Sequence, residues 1–121
     1  TYIDDIIESL FRLLSKPAIP DLNFDTNFPD PSSSWAPHRI FNIGNSTPTP
    51  LMEYVKAIED YLGIEAKKEF LPFQKGDVKA TSADTSNLEE WIGFKPNTSI
   101  TKGVSQFLDW YKKYYEHQII N

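Results

Sequence analysis

The chain has 121 residues and a net charge of −5, so its size fits one domain or part of a larger one. A composition of 40% hydrophobic and 14% aromatic residues can form a core and argues against disorder throughout. The lack of cysteine excludes disulfides, thiolate zinc sites and a cysteine nucleophile. The acidic balance disfavours nucleic acid as a partner, because phosphate binding depends mostly on Lys and Arg.

The first predicted helix begins almost at Thr1 and ends before Pro17. Asp4 and Asp5 fall in its first turn, where carboxylates interact favourably with the helix dipole. A helical pattern this early, with no initial Met, leads us to expect further residues before Thr1. The apolar stripe of the helix follows a spacing of three and four and consists of Ile3, Ile6, Ile7, Leu10, Phe11 and Leu14.

Residues 17–37 form a predicted Pro/Ser-rich inserted loop, which holds five of the nine prolines and shows no helical or strand period. A loop of this length is usually functional or poorly ordered. Phe24, Phe28 and Trp35 could hold it against a surface. An ordered cover and a flexible excursion both remain open.

Two short strands and a helix are predicted next. The first strand is RIFNIGN, residues 39–45, and the second is AKKEFLPF, residues 66–73. Between them, a helix is predicted with Thr47 or Thr49 as its N-cap, a proline just inside, and Gly63 as its C-terminal stop.

The polar stretch QKGDVKATSAD, residues 74–84, has no apolar period and separates the second strand from two further helices. The shorter helix opens with Ser86, has Glu89 three residues later as a capping box, and ends at Gly93. The longer one runs from about Thr101 to His117. One of its faces consists of Ile100, Val104, Phe107, Leu108, Tyr111 and Tyr115.

The pattern as a whole predicts an α-rich α/β fold with several helices and two or three short strands. Two separated strands cannot form a stable sheet by themselves, so we expect them to join strands outside this chain.

Most catalytic signatures are absent from the chain. Its five glycines are isolated, so no Gly-rich loop can hold a phosphate, and no Tyr-x-x-x-Lys pair or nucleophile elbow occurs. The two histidines lie far apart with no second ligand at metal spacing. These observations favour a binding part of a protein over a catalytic part, with no catalytic residue and no metal site.

Three segments, in this order, resemble the C-terminal part of the nucleotide-sugar epimerases, which are extended short-chain dehydrogenases/reductases. They are TYIDDI, RIFNIGNSTPTPLMEYVKAIEDYLG and QKGDVKATSADTSNLEEWIGFKPNTSITKGVSQFLDWYKKYY. The Gly-Asp-Val, Ala-Asp and Gly-Phe-Lys-Pro elements of the last segment are the most specific. The Pro-rich insertion resembles the UDP-glucuronate 4-epimerase branch of the family.

The resemblance implies a two-lobed, NAD-dependent isomerase of which residues 1–121 form most of the smaller, UDP-sugar-binding lobe. The other lobe, a Rossmann domain outside this chain, would bind NAD and carry the catalytic groups. NAD would oxidise the sugar at C4 transiently and return hydride to the other face. This chain by itself would then be inactive and bind no cofactor.

The resemblance also assigns residues in the polar stretch. Asp77 matches an aspartate that accepts hydrogen bonds from the uridine ribose. Gln74 stands where many relatives have a phosphate-binding Arg, so Lys75 and Lys79 become candidate phosphate contacts. Thr81 matches a position that faces the sugar.

Several polar and aromatic residues have plainer explanations. Asp84 is predicted to close an Asx turn or cap the following helix. The aromatic residues near the end of the last helix could form a stacking platform, but at helical spacing such residues more often belong to a core or an interface. They are Trp110, Tyr111, Tyr114 and Tyr115.

Other functions remain open at this stage. Within the family, another epimerase, a dehydratase or a decarboxylase fits the same motifs. Outside it, the chain could be a freestanding helical module for protein interaction. No apolar run approaches the roughly 20 residues that span a bilayer, so a cytoplasmic location without membrane contact is expected. Exposed apolar surfaces would favour a homodimer or a domain-swapped pair.

Overall fold

The protein was analysed as a computed structural model that describes residues 1–78 and 80–116. These residues form four helices, α1 (Ile3–Leu14), α2 (Leu51–Leu62), α3 (Ser86–Ile92) and α4 (Ile100–Glu116). Two compact units are present. Unit 1 contains residues 1–46 and 82–97, and unit 2 contains residues 47–81 and those from Thr98 onward. The predicted α-rich character is confirmed.

Unit 1 is formed around α1 and α3, which contact each other. Leu88 of α3 and Pro96 are fully buried there. The buried side of α1 is not the predicted apolar stripe. Asp5 and Ser9 are buried instead, and the Ser9 hydroxyl donates to the Asp5 carbonyl at 2.7 Å, which satisfies a buried polar group locally.

The apolar stripe of α1 is largely exposed. Ile7 and Phe11 are 56% and 67% exposed, and Leu14 is exposed still more. Ile6 and Leu13 are half-buried. The helical period was read correctly, but the period cannot say what covers a stripe.

The helix ends follow the predicted signals at the C-termini more closely than at the N-termini. Gly63 and Gly93 end α2 and α3 in the left-handed conformation, with φ of 66° and 63°, which glycine adopts without steric conflict. The predicted N-caps at Thr47 or Thr49 are wrong, because α2 begins after Pro50 without a side-chain cap.

The start of α3 differs from the predicted capping box by one residue. Thr85, not Ser86, is the N-cap, and its hydroxyl donates to the Glu89 carboxylate at 2.7 Å. Asp84 closes the turn before it, because its carboxylate accepts from the Ser86 N–H at 3.0 Å and the Ser86 hydroxyl at 2.6 Å. The structural role predicted for Asp84 is therefore confirmed.

Unit 2 is formed by α2 and α4. The Tyr61 hydroxyl donates to the Asp109 carboxylate across the two helices, and the Lys112 ammonium lies 4.5 Å from the centre of the Tyr61 ring. Ala57 and Leu108 are the buried apolar residues of this unit. The predicted last helix is confirmed: α4 begins at Ile100, one residue before the predicted start, and the predicted end at His117 lies outside the described residues.

Residues 39–45 and 66–73, predicted to pair with strands outside this chain, form no strand within its described part. Its one β pairing is an antiparallel bridge between Ser33 and Arg39. A strand is stable only when its backbone groups are paired with a neighbouring strand, and no described segment supplies one. Residues 39–45 instead run beside the start of α3, where Gly44 is so close to Ala83 that an added Cβ would lie 2.9 Å from the Ala83 Cβ.

The inserted loop, residues 17–37, is organised by polar turns. The carboxylates of Asp21, Asp25 and Asp30 each accept from the backbone N–H two residues later, at 2.8–3.0 Å. The Asp21 N–H donates to the Ser34 carbonyl at 2.9 Å, which ties the start of the loop to its end. The aromatic contacts expected of Phe28 and Trp35 are absent, since these side chains are 84% and 72% exposed.

Leu88→Ala is expected to lower the free energy of unfolding by about 2–5 kcal/mol, because it leaves a cavity at a fully buried position. Chemical denaturation monitored by circular dichroism measures the change. Leu22→Ala is the matched control at a side chain that is 94% exposed, and it should change stability by less than about 0.5 kcal/mol. Equal effects of the two substitutions would contradict the assignment of the core.

Stability is expected to fall in acid partly through Asp84. Hydrogen bonds from the Ser86 side chain and backbone lower the pKa of this carboxyl below its ordinary value of 3.8. The stabilisation is therefore complete above pH 4 and is lost as the pH falls through the folded-state pKa. Asp84→Asn keeps the acceptor and removes the titration.

Thermal denaturation between pH 6 and pH 2.5 tests this expectation. The Tm of Asp84→Asn should decline less steeply below pH 4 than that of the unmodified protein. Glu90→Gln, which changes an exposed carboxylate on α3, the helix that follows this turn, should leave the slope unchanged. Identical slopes for all three proteins would show that the turn does not contribute.

Candidate functional site

The polar stretch that carries the candidate ligand residues contains one tight turn. The Asp77 N–H donates to the Gln74 carbonyl at 3.4 Å, with Lys75 and Gly76 at the corner. Gly76 has a φ of 98°, a conformation that disfavours any residue with a Cβ. The turn therefore brings the backbones of Gln74 and Asp77 together.

All four described candidates, Gln74, Lys75, Asp77 and Thr81, are exposed. Thr81 follows the turn by four residues, and no contact joins its side chain to Gln74 or Asp77 among the described residues. Lys79 lies outside the described residues. The ligand roles of these five positions accordingly stay predictions.

Residues 64–73, which lead into the turn, are exposed and form neither helix nor strand. Its apolar side chains do not form a core, since Phe70 and Leu71 are 78% and 73% exposed. The segment is tied to α2 at its beginning, where the Glu59 carboxylate accepts from the Ala66 N–H at 2.7 Å and from the Lys68 ammonium. No sequence signal marks Glu59, because a glutamate in the last turns of a helix is an ordinary surface residue.

A second polar group surrounds Trp91 in unit 1. The Lys16 ammonium donates to the Trp91 carbonyl at 2.6 Å, and the Trp91 indole N–H donates to the Lys16 carbonyl at 3.0 Å. Arg12 donates more weakly to the Gly93 carbonyl at 3.4 Å. These cations meet free carbonyls at the C-terminal end of α3, where positive charge is favourable. The arrangement explains the cations as structural, without a ligand.

The aromatic residues of α4 form a ladder on a helix surface. Trp110 stacks on Tyr114 with ring centres 5.4 Å apart, and Tyr111 contacts Tyr115 at 4.5 Å. Trp110, Tyr111 and Tyr114 remain about half exposed, so they do not belong to a core within this chain.

Neither a metal site nor a membrane-spanning helix occurs in the part of the chain that the structure describes. No group of three or more His, Asp or Glu side chains there is arranged to hold a metal ion. No described helix is both long and apolar enough to cross a membrane.

Comparison with known proteins gives relatives that cover nearly the whole chain, while no family model matches it. Protein CapI of Staphylococcus aureus is 49% identical over 116 residues, which cover 96% of this chain and 35% of CapI. A Rhizobium meliloti protein named probable UDP-glucuronate 4-epimerase is 39% identical over 121 residues, covering 95% of this chain and 34% of that protein. UDP-glucuronate 4-epimerase 1 of Arabidopsis thaliana is 34% identical over 116 residues, covering 95% and 26%.

The relatives confirm the resemblance that the sequence motifs indicated. The chain spans about a third or less of the length of the proteins that it matches. Identity of this extent over 95% of the chain is a relationship by descent rather than a shared short motif. The chain therefore belongs to the same sequence family as the UDP-glucuronate 4-epimerases and corresponds to one segment of them.

Proposed function

We propose that the chain is the C-terminal, substrate-binding lobe of an NAD-dependent nucleotide-sugar 4-epimerase that interconverts UDP-glucuronate and UDP-galacturonate. The single observation that carries this proposal is the 32–39% identity, over 95% or more of the chain, to several proteins named UDP-glucuronate 4-epimerase. Another nucleotide-sugar epimerase, a dehydratase or a decarboxylase of the family is the nearest alternative.

The residues of this chain do not fit a site for NAD. Its glycines are isolated along the sequence, so no Gly-rich turn offers consecutive backbone N–H groups to the cofactor's pyrophosphate. NAD and the catalytic groups would belong to the larger part of the relatives that this chain does not span. The role that remains for this lobe is to hold the nucleotide while the sugar reacts.

Holding the nucleotide has a chemical purpose in an epimerase. The sugar must present both faces to one redox centre, so it cannot itself be held rigidly through the reaction. Binding energy from the remote UDP group keeps the substrate in the site while the sugar rotates. An acidic acceptor for a ribose diol and donors for phosphates are the groups that such a lobe has to supply.

The turn at residues 74–77 supports Asp77 as the ribose acceptor. Its carboxylate is exposed, and the one hydrogen bond described for this residue uses its backbone N–H rather than its side chain. Gln74 and Lys75 in the same turn, with Lys79, are the proposed phosphate contacts, and Thr81 is the proposed sugar contact. Gln74 carries no charge, so the lysines would supply the electrostatic part of phosphate binding.

A freestanding module for protein interaction is the candidate from another class, and the exposed apolar stripe of α1 favours it. The coding sequence upstream of Thr1 separates the two readings. The epimerase requires a Gly-x-x-Gly-x-x-Gly motif near a start Met, followed by Tyr-x-x-x-Lys. An unrelated upstream sequence would favour the module.

Asp77→Ala in the full-length protein is expected to raise the KM for UDP-glucuronate about 10- to 100-fold, because hydrogen bonds to a charged group contribute about 1.5–3 kcal/mol. The kcat should change little, since the ribose is bound equally in the ground and transition states. Steady-state kinetics measure both values. Asp25→Ala, at an exposed aspartate of unit 1, is the control, and an unaltered KM for Asp77→Ala would refute the assignment.

The chain by itself is expected to show no epimerase activity and to bind UDP weakly or not at all, because it lacks the catalytic groups. Chromatographic analysis of UDP-glucuronate incubated with the chain and NAD tests activity, and isothermal titration calorimetry with UDP tests binding. The full-length protein is the control for both. Turnover by the isolated chain at the rate of the full-length protein would disprove the proposed division of labour.

A further inference from the structure

Glu59 connects the last turns of α2 to the segment that follows the helix. Its backbone carbonyl accepts from the Gly63 N–H at 2.8 Å, which closes the helix end. Its carboxylate accepts from the Ala66 N–H at 2.7 Å and from the Lys68 ammonium. Glu59 thus accepts the hydrogen bond that closes the end of α2, and its side chain holds the segment that leaves the helix.

The ion pair in this connection is more shielded than an ordinary surface pair. The side chains of Glu59 and Lys68 are 19% and 27% exposed. By contrast, the neighbouring pair between Asp60 and Lys56, on the same helix, is 63% and 71% exposed. Ion pairs that keep little contact with water are screened less by solvent and salt. The hydrogen bonds from Lys68 and Ala66 lower the pKa of Glu59, which keeps the carboxylate charged near neutral pH.

Downstream of Lys68, no comparable attachment holds the chain. Residues 69–78 make one described hydrogen bond, from the Asp77 N–H to the Gln74 carbonyl within the turn itself. Their apolar side chains do not pack into a core, since all of them are more than 60% exposed. The Glu59 carboxylate is therefore the nearest described anchor on the N-terminal side of Gln74 and Asp77.

We propose that Glu59 is a positioning residue for the nucleotide-binding turn at residues 74–77. This inference rests on the proposed function, because it assumes that the turn contacts the nucleotide. Glu59 touches no substrate. It sets the fraction of molecules in which residues 66–73 leave α2 in the direction that substrate binding requires.

The expected size of the effect follows from that fraction. When only part of the population is competent to bind, the apparent Kd equals the intrinsic Kd divided by the competent fraction. If loss of the carboxylate reduces the anchored population to about a tenth, the apparent Kd and the KM rise about tenfold. The kcat stays the same, because the bound complex is unaltered.

Hydrogen exchange measured by mass spectrometry on the full-length protein tests the anchor directly, without reference to activity. Glu59→Ala should speed exchange of the Ala66 amide, whose hydrogen-bond acceptor it removes, about tenfold and leave the amides in the middle of α2 unchanged. Glu59→Gln, which keeps an acceptor for the Ala66 N–H but not the charge, should give an intermediate rate. Asp60→Ala removes the adjacent exposed carboxylate and should have no effect on this amide.

Kinetics with UDP-glucuronate then test the consequence for binding. Glu59→Ala should raise KM about tenfold at constant kcat, Glu59→Gln should restore part of it, and Asp60→Ala should match the unmodified enzyme. Lys68→Met should raise KM as well. The double variant Glu59→Ala, Lys68→Met should be no worse than Glu59→Ala alone, since both remove the same connection.

The outcomes separate this inference from the proposed function. Unchanged exchange in Glu59→Ala would overturn the anchor, whatever the enzyme does. Faster exchange with an unchanged KM would overturn the positioning role and leave the epimerase assignment intact. An unmodified full-length protein that turns over no UDP-sugar and binds no UDP would overturn the proposed function and, with it, any role of Glu59 toward a nucleotide.

Discussion

The exchange of hydrogen bonds between Lys16 and Trp91 is the interaction on which unit 1 depends. Each residue donates from its side chain to the backbone carbonyl of the other, at 2.6 Å and 3.0 Å. The indole ring also contacts the ring of Phe41, with centres 5.8 Å apart, and lies under the guanidinium of Arg39. One side chain thus joins the end of α1, the last turn of α3 and the segment that returns from the inserted loop. The two hydrogen bonds between Lys16 and Trp91 also supply donors to helix-end carbonyls that would otherwise be unpaired.

The need to pair backbone hydrogen bonds explains the difference between the helices and the exposed segments that connect them. Helices satisfy their own backbone hydrogen bonds, whereas extended segments require a neighbour. Residues 39–45 find partial support beside α3, where the Asn42 side chain donates to the Asp84 carbonyl at 3.2 Å. Residues 66–73 are held by polar contacts to Glu59 alone at their start. The same sequence period can therefore give a strand in one context and an exposed extended segment in another.

These constraints shape the functional proposal. Helix capping explains the contacts of Lys16 and Arg12 near Trp91, whereas the Nε of Arg39, whose guanidinium lies over the same ring, is buried without a hydrogen-bond partner among the described residues. The turn at Gln74 and Asp77 has the opposite character, with exposed polar side chains on a segment whose described attachment, at Glu59, lies upstream. In the proposed function, this turn closes on the nucleotide and releases it, since segments with few buried contacts open at low free energy. The role proposed for Glu59 is to anchor the segment that carries the turn.

The sequence by itself determined the four helices, the glycine stops of α2 and α3, and the family. These features are local or are carried by contiguous motifs: the period of apolar residues predicts a helix, and Gly63 and Gly93 end one because only glycine readily adopts their left-handed conformation. The motif at residues 74–84 likewise indicated the relatives before any geometry was known.

Only the tertiary structure decided what those elements contact. The apolar stripe of α1 was predicted, but its exposure was not, because burial depends on a partner surface that no local pattern encodes. Residues 39–45 and 66–73 form no strand within the described part of the chain for the same reason, since their hydrogen bonds would require a second segment alongside. The link from Glu59 to Ala66 and Lys68 spans seven and nine residues across a helix end. Such a contact follows from the direction of the chain after Gly63, which the sequence alone does not specify.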